Sequence, residues 1–116
     1  MPPLTDPERL RHYREALKRW SCSGYVTWEP FARQWVRKNL AGFTPPEVSR
    51  LMWEHVQAGG EIDEVRERRP EWSEHKFHHD LRLKIAGRLV YVETRLLMDE
   101  RDIEHSTINV VNIHDA

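Results

Sequence analysis

Apolar side chains recur at helical spacing in three runs within the first 60 residues. A capping box of the form Thr-x-x-Glu opens the first run at Thr5 and the third run at Thr44. Thr27 stands where it could cap the second run, and glycines follow the ends of the second and third runs. The pattern predicts three helices, at about 6–20, 28–41 and 45–58.

From Phe77 onward the apolar period changes from that of a helix to two, which is typical of strands. The alternating runs are FHHDLRLKI, RLVYVETRL and TINVVNIH, and Ala86-Gly87 between the first two has the length of a hairpin turn. The preceding segment EIDEVRERRPEW is charged and contains Pro70, which favours a short edge strand or loop with its charges in solvent. The simplest arrangement of the three runs is an antiparallel meander.

These elements predict an α+β fold, with three N-terminal helices packed on one face of a C-terminal antiparallel sheet of three to four strands. The 116 residues suffice for one domain with a core of its own, residues 1–60 forming the helical part and residues 61–116 the sheet.

Counting outward from Ala86-Gly87 gives the register of the first hairpin. One face of this hairpin is nearly all apolar, so we expect the helices to cover it. The other face collects ionisable groups, with Asp80 opposite Glu93 and Arg82 opposite Tyr91. On the same face, the register places His78 opposite Arg95.

Simple alternation in the last strand puts two pairs of residues on one side: Ile108 and Val110, with Asn112 and His114. We expect His114 to lie near the charged face, because burial of an ionisable side chain without a partner is costly.

Composition and charge limit the cellular locations and the classes of partner that we expect for this protein. A single cysteine, Cys22, cannot form an internal disulfide, and the first residues lack the basic start and apolar run of a secretory signal. No apolar stretch approaches the ~20 residues that cross a bilayer, so we expect a cytoplasmic protein without a membrane partner. The net charge of -1 combines +3 in residues 1–58 (nine Lys/Arg, six Asp/Glu) with -4 in residues 59–116 (nine, thirteen). The first half is only modestly basic for a nucleic-acid-binding protein.

The order of helices, EVRERRPEW, FHHDLRLKIAGRLVYVET and a final VVNIH resembles small bacterial ribonuclease toxins of the RelE and motility-quorum-sensing-regulator type. It is similar as well to uncharacterised families beside them in the barnase, EndoU, colicin and RelE superfold. The resemblance covers mainly residues 43–114. Tyr91 matches the strand tyrosine of these toxins, His114 takes a place where lysine often stands, and Asp80 matches an acidic position. Glu93 departs from the pattern, because the toxin strand commonly has lysine there.

The resemblance implies a cofactor-free, metal-independent endoribonuclease, with a protein inhibitor or antitoxin as a possible partner. In this hypothesis His78 and His114 are the general base and acid, because imidazoles titrate near neutral pH. Arg82 and Arg95 would stabilise the phosphorane, and Tyr91 would stack or donate a proton.

Three alternatives stay open at this stage. Helices two and three with the hairpin could form a winged helix that binds nucleic acid without catalysis, through four cations: Arg33, Arg37, Lys38 and Arg50. The charged sheet face could instead bind a basic protein. A metal site from His78, Asp80, Glu93 and His114 is the third, but it lacks a tight ligand motif, so we predict no metal ligands. The oligomeric state is open.

Overall fold

Three helices lie on one face of a five-stranded sheet in the computed structural model, which describes residues 2–116. The helices are α1 (Pro7–Lys18), α2 (Pro30–Asn39) and α3 (Pro45–Gln57). The strands are β1 (Val26–Trp28), β2 (Asp63–Arg66), β3 (Phe77–Ile85), β4 (Arg88–Leu97) and β5 (Thr107–Asp115). Two short 3-10 helices occupy Pro70–Trp72 and Ile103–His105.

The predicted α+β class is confirmed, and the sheet is larger than predicted. Its strand order is β1-β5-β4-β3-β2, so β3, β4 and β5 form the expected meander and β2 the expected edge strand. β1 pairs in parallel with β5 at the other edge, which makes the sheet mixed. No helix among residues 2–116 is long and apolar enough to cross a membrane.

Thr27 and Trp28 were predicted as the cap and first residue of the second helix, and this prediction is wrong because they belong to strand β1. Val26, Thr27 and Trp28 pair with β5, as suits β-branched and aromatic side chains. Pro30 then occupies the first turn of α2, where its missing N–H is not needed. Sequence spacing placed Trp28 on the helical stripe because a three-residue strand is too short to show its own period.

The capping box predicted at Thr44 is confirmed, and the one predicted at Thr5 is wrong. Thr44 and Glu47 form the predicted reciprocal capping box at the start of α3. In α1 the cap is Asp6 instead of Thr5, and the Asp6 carboxylate accepts a hydrogen bond of 2.9 Å from the Arg9 N–H. α1 ends at Lys18, two residues before the predicted end.

The predicted hairpin register is confirmed for the seven pairs from His79–Thr94 to Ile85–Arg88. Ala86 and Gly87 have φ angles of 52° and 78°, the two positive values that a two-residue type I′ turn requires. The apolar side of the hairpin is buried beneath the helices, and this helix-covered face includes Leu81 and Val92. We call the opposite side of the sheet the open face.

A β-bulge corrects the predicted alternation of the last strand. Asn112 pairs with Glu93, but Val110 pairs with the next residue, Thr94, so Val111 is an extra residue in β5. Ile108, Val110 and Ile113 are therefore all buried with the core. Asn112 and His114 lie on the open face, next to Glu93 and Tyr91.

Residues 61–72 were predicted as a short edge strand or loop with its charges in solvent, but two of these charges are buried. Asp63 is 1% exposed, and the Glu67 side chain is also 1% exposed. Residues 67–76, which we call the strap, connect β2 to β3 and contact the open face. The strap therefore covers one end of the face that was predicted to be open to solvent.

Candidate active site

Three carboxylates lie side by side across the open face. Asp63 on β2 pairs with Asp80 on β3, which pairs with Glu93 on β4. These residues are 1%, 0% and 7% exposed, respectively. Because like charges directly opposite each other oppose strand pairing, each carboxylate needs a partner of its own.

Arginines from the strap and from β4 neutralise the Glu93 end of this row. The Arg95 guanidinium contacts the carboxylate of Glu67 and lies 3.2 Å from that of Glu93. Arg69 bonds Glu67 at 3.0 Å and also contacts Glu93. The hydrogen bond from Arg69, with the charge of Arg95, lowers the pKa of Glu67 to about 2.

Arg95 was predicted to contact substrate, and its surroundings exclude that role in this conformation. The residue is 1% exposed, and the ring of Trp72 lies 4.8 Å from its guanidinium carbon. Two of its nitrogens, Nε and Nη1, lack a hydrogen-bond partner of good geometry. Arg95 is therefore a buried counter-ion of two glutamates, covered by the strap.

Asp80 lies at the centre of the row and accepts two hydrogen bonds. One comes from the Tyr91 hydroxyl and the other from His78 Nδ1, at 2.8 Å. Burial raises the pKa of the Asp80 carboxyl, although both hydrogen bonds oppose the shift. Burial and the Asp80 carboxylate together raise the pKa of Tyr91, so the phenol stays protonated and keeps donating.

The two candidate imidazoles are held in the same tautomer. His78 Nδ1 faces a carboxylate oxygen, and His114 Nδ1 lies 2.8 Å from the carbonyl oxygen of Asp115. Both partners accept, so in each neutral ring Nδ1 carries the proton and Nε2 has the lone pair. His114 is exposed, and its ring stacks on Tyr91 at 5.1 Å between centroids with 15° between the planes.

The register brings only part of the predicted set together. Tyr91 pairs with Arg82 on one side and with His114 on the other, so these three residues form a row next to that of Asp80. His78 lies four residues from Arg82 along β3, about 13 Å at ~3.3 Å per residue. It also lies two strands from His114. One phosphate therefore cannot lie between His78 and His114 as the two-imidazole hypothesis requires.

Arg82 is exposed but not free. Its guanidinium lies 3.2 Å from Asp63 and 3.5 Å from Glu61, and its side chain is 47% exposed. Arg82 therefore serves as the counter-ion of the buried Asp63. Half of the side chain can still meet a ligand.

The open face thus has two unlike ends. At the strap end Glu67, Arg69 and Trp72 cover Glu93 and Arg95. At the hairpin end, by contrast, three basic side chains reach solvent: Arg82, Lys84 and His114. Sequence reasoning missed Asp63 and the strap residues as parts of the site, although the pairing of β2 with β3 puts Asp63 beside Asp80.

One group of possible metal ligands occurs among residues 2–116, and it differs from the set considered in the sequence. Atoms of Glu67, His78 and Glu93 lie within 4.8 Å of one another. Arg69 and Arg95 already hold both carboxylates. A divalent cation would have to displace a guanidinium, so this group is better described as a closed ion-pair network.

The hairpin that would form the wing of a winged helix is part of the central sheet. β3 and β4 are nine and ten residues long, and β4 lies in the middle of the sheet instead of projecting from it. Arg33, Arg37 and Lys38 are exposed on α2, while Arg50 bonds Glu54 at 2.6 Å within α3.

Comparison with known proteins gives no family to which these features could be referred. No family model, curated protein or solved structure matches this chain.

Proposed function

We propose that the protein is a metal-independent endoribonuclease that acts at the hairpin end of its open face. The observation that carries the proposal is the row Arg82–Tyr91–His114, in which a cation, a phenol ring and an imidazole of fixed tautomer lie side by side. Such groups are the materials of acid–base phosphodiester cleavage. The resemblance to ribonuclease toxins favours the same chemistry.

His114 is the group that would move the proton. Its Nε2 takes the proton of a ribose 2′-hydroxyl, whose oxygen then forms a bond to the adjacent phosphorus. The bond from phosphorus to the 5′-oxygen breaks, and the products are a 2′,3′-cyclic phosphate and a 5′-hydroxyl. The row contains no second imidazole, so the departing 5′-oxygen takes its proton from solvent.

The neighbours of His114 supply position and charge. Tyr91 supports the imidazole ring by stacking, and the Asp80 carboxylate fixes the Tyr91 hydroxyl. Arg82 and Lys84 offer positive charge to the phosphate and to the charge that develops on it.

This proposal changes three roles that the sequence suggested. His78 and Arg95 become supporting residues, because His78 bonds Asp80 and Arg95 is buried between two glutamates. Tyr91 supports the His114 ring instead of acting on the substrate. Arg82 and His114 keep their roles at the substrate.

The test is cleavage of single-stranded RNA by the purified protein, with and without EDTA. We expect cleavage that EDTA does not reduce, and we expect His114→Ala to lose at least 100-fold in rate, the range of a general base. His105→Ala is the matched control, because His105 is an exposed histidine on the 3-10 helix before β5.

Three outcomes would contradict the proposal. They are no cleavage above that of a mock purification, cleavage that needs a divalent metal, and equal loss in both histidine variants. Loss in His78→Ala but not in His114→Ala would move the chemistry to the other end of the cluster. RNA that binds without being cut would favour the non-catalytic alternative.

A further inference from the structure

A groove between α1 and α3 has features that the proposed ribonuclease chemistry does not use. This open groove has a volume of about 620 Å³, and its apolar lining comes from Leu10 and Trp53, with Pro7 at one end. Leu10 and Trp53 are only partly buried against the core, so the groove leaves apolar surface uncovered.

The wall that α1 contributes is basic. Arg11, Arg14 and Lys18 line the groove at helical spacing, and all three are exposed. Arg11 bonds Glu8 at 3.1 Å, and the acid in this wall, Glu15, bonds Arg19 at 2.8 Å. Arg14 and Lys18 are thus left without an acidic partner in the described part of the chain.

A second depression adjoins the groove and extends it. This depression has a volume of about 230 Å³, shares Leu10 and Arg14 with the groove and extends towards Gly59 and Gly60. The lining residues on α1 run from Pro7 to Lys18, which at ~1.5 Å per residue is about 16 Å. This length matches three turns of a helix.

We infer that this groove docks an acidic amphipathic helix of a partner protein, about three turns long. Its apolar stripe would cover Leu10 and Trp53, and its carboxylates would meet Arg14 and Lys18. A helix lying in an apolar groove is a recurrent mode of recognition, and charge complementarity selects the partner. The inference goes beyond the proposed function and does not depend on it.

The apolar lining distinguishes this occupant from RNA. A nucleic-acid strand would place phosphates along the cations but would leave Leu10 and Pro7 in contact with a charged backbone. A helix with one apolar and one acidic side satisfies both parts of the groove.

The experiment uses the full chain and two labelled 14-residue peptides, designed as helices with the same leucine stripe and flanked by either Glu or Lys. Fluorescence anisotropy should give at least tenfold tighter binding for the Glu peptide. In the double variant Arg14→Glu/Lys18→Glu the preference should reverse in favour of the Lys peptide. Both residues are exposed, and circular dichroism verifies that the variant stays folded.

The control is Arg68→Glu/Arg101→Glu, which makes the same change of net charge at two exposed arginines outside the groove. This variant should keep the preference for the Glu peptide. Equal affinity of the two peptides, or the same loss in control and test variants, would overturn the inference. A 12-nucleotide RNA that binds through Arg14 and Lys18 while the Glu peptide does not would overturn it as well, and would make the groove a nucleic-acid site.

Discussion

The two faces of this sheet are buried by different means. On the helix-covered face Leu81, Val90 and Val92 are excluded from water by apolar contacts. On the open face Asp80 and Arg95 are equally inaccessible, yet they are surrounded by charges and hydrogen bonds.

Burial of the same extent therefore makes substitutions on the two faces destabilising for different reasons. An apolar side chain on the helix-covered face loses contact area when it is shortened, and the loss scales with the cavity. A charged side chain on the open face leaves its partners buried and uncompensated when it is removed. Loss of a paired charge on the open face should therefore destabilise the protein more than an apolar truncation on the helix-covered face.

The largest effect is expected from Arg95→Met. This change leaves Glu67 and Glu93 with Arg69 as their remaining cation, so we expect a loss of about 3–5 kcal/mol in the free energy of unfolding. Urea denaturation of the variant and the wild type measures it. Adding Glu93→Gln to Arg95→Met should recover part of the loss, and a single-variant effect below about 1 kcal/mol would show that the open face is not held by these ion pairs.

A smaller loss is expected on the helix-covered face. Leu81→Ala removes a fully buried side chain, and core truncations of this kind cost about 2–4 kcal/mol. Lys84→Ala on the same strand is the control, because Lys84 is exposed on the opposite face and should change stability by less than about 0.5 kcal/mol. Similar midpoints in urea for the two variants would contradict the register.

The smallest effect is expected at Asp80, where Asp80→Asn tests the buried carboxylate itself. Its folded pKa lies above its ordinary value of 3.8, so the ionised form costs stability at neutral pH, and the cost disappears as the pH falls to 3.8. Asparagine is uncharged at every pH, and the Tyr91 hydroxyl can accept a hydrogen bond from its amide. We therefore expect a gain of less than about 1 kcal/mol at pH 7 and none at pH 3.

Urea denaturation of both proteins at pH 3 and pH 7 distinguishes the explanations. A loss of stability in Asp80→Asn at pH 7 would mean that the hydrogen bonds from His78 and Tyr91 stabilise the ionised carboxylate by more than burial destabilises it. A difference that is the same at both pH values would show that the charge of Asp80 is not the cause.

The hairpin shows how far local sequence can specify a site. Ala86-Gly87 and the alternation on both sides determine seven cross-strand pairs, including Asp80 with Glu93 and Arg82 with Tyr91. Each pair depends only on counting from a two-residue turn, so no distant contact had to be known.

The last strand shows where that reasoning ends. The bulge at Val111 moves Asn112 and His114 to the open face. None of the residue types in β5 indicates that a bulge occurs there. The sequence of β1 does not indicate a strand either, because three residues become a strand only when a parallel partner is present.

The sequence by itself determined the fold class, the helix caps at α3 and the register of the β3–β4 hairpin, since these depend on spacing and on neighbours in the chain. Only the tertiary structure decided which charged residues are buried. Glu67 and Arg69 reach Glu93 and Arg95 because the strap folds back over the open face, which joins residues more than 20 positions apart. Charged side chains look alike in a sequence whether they face water or one another, and the free energy that separates the two cases comes from partners that only the folded chain brings within reach.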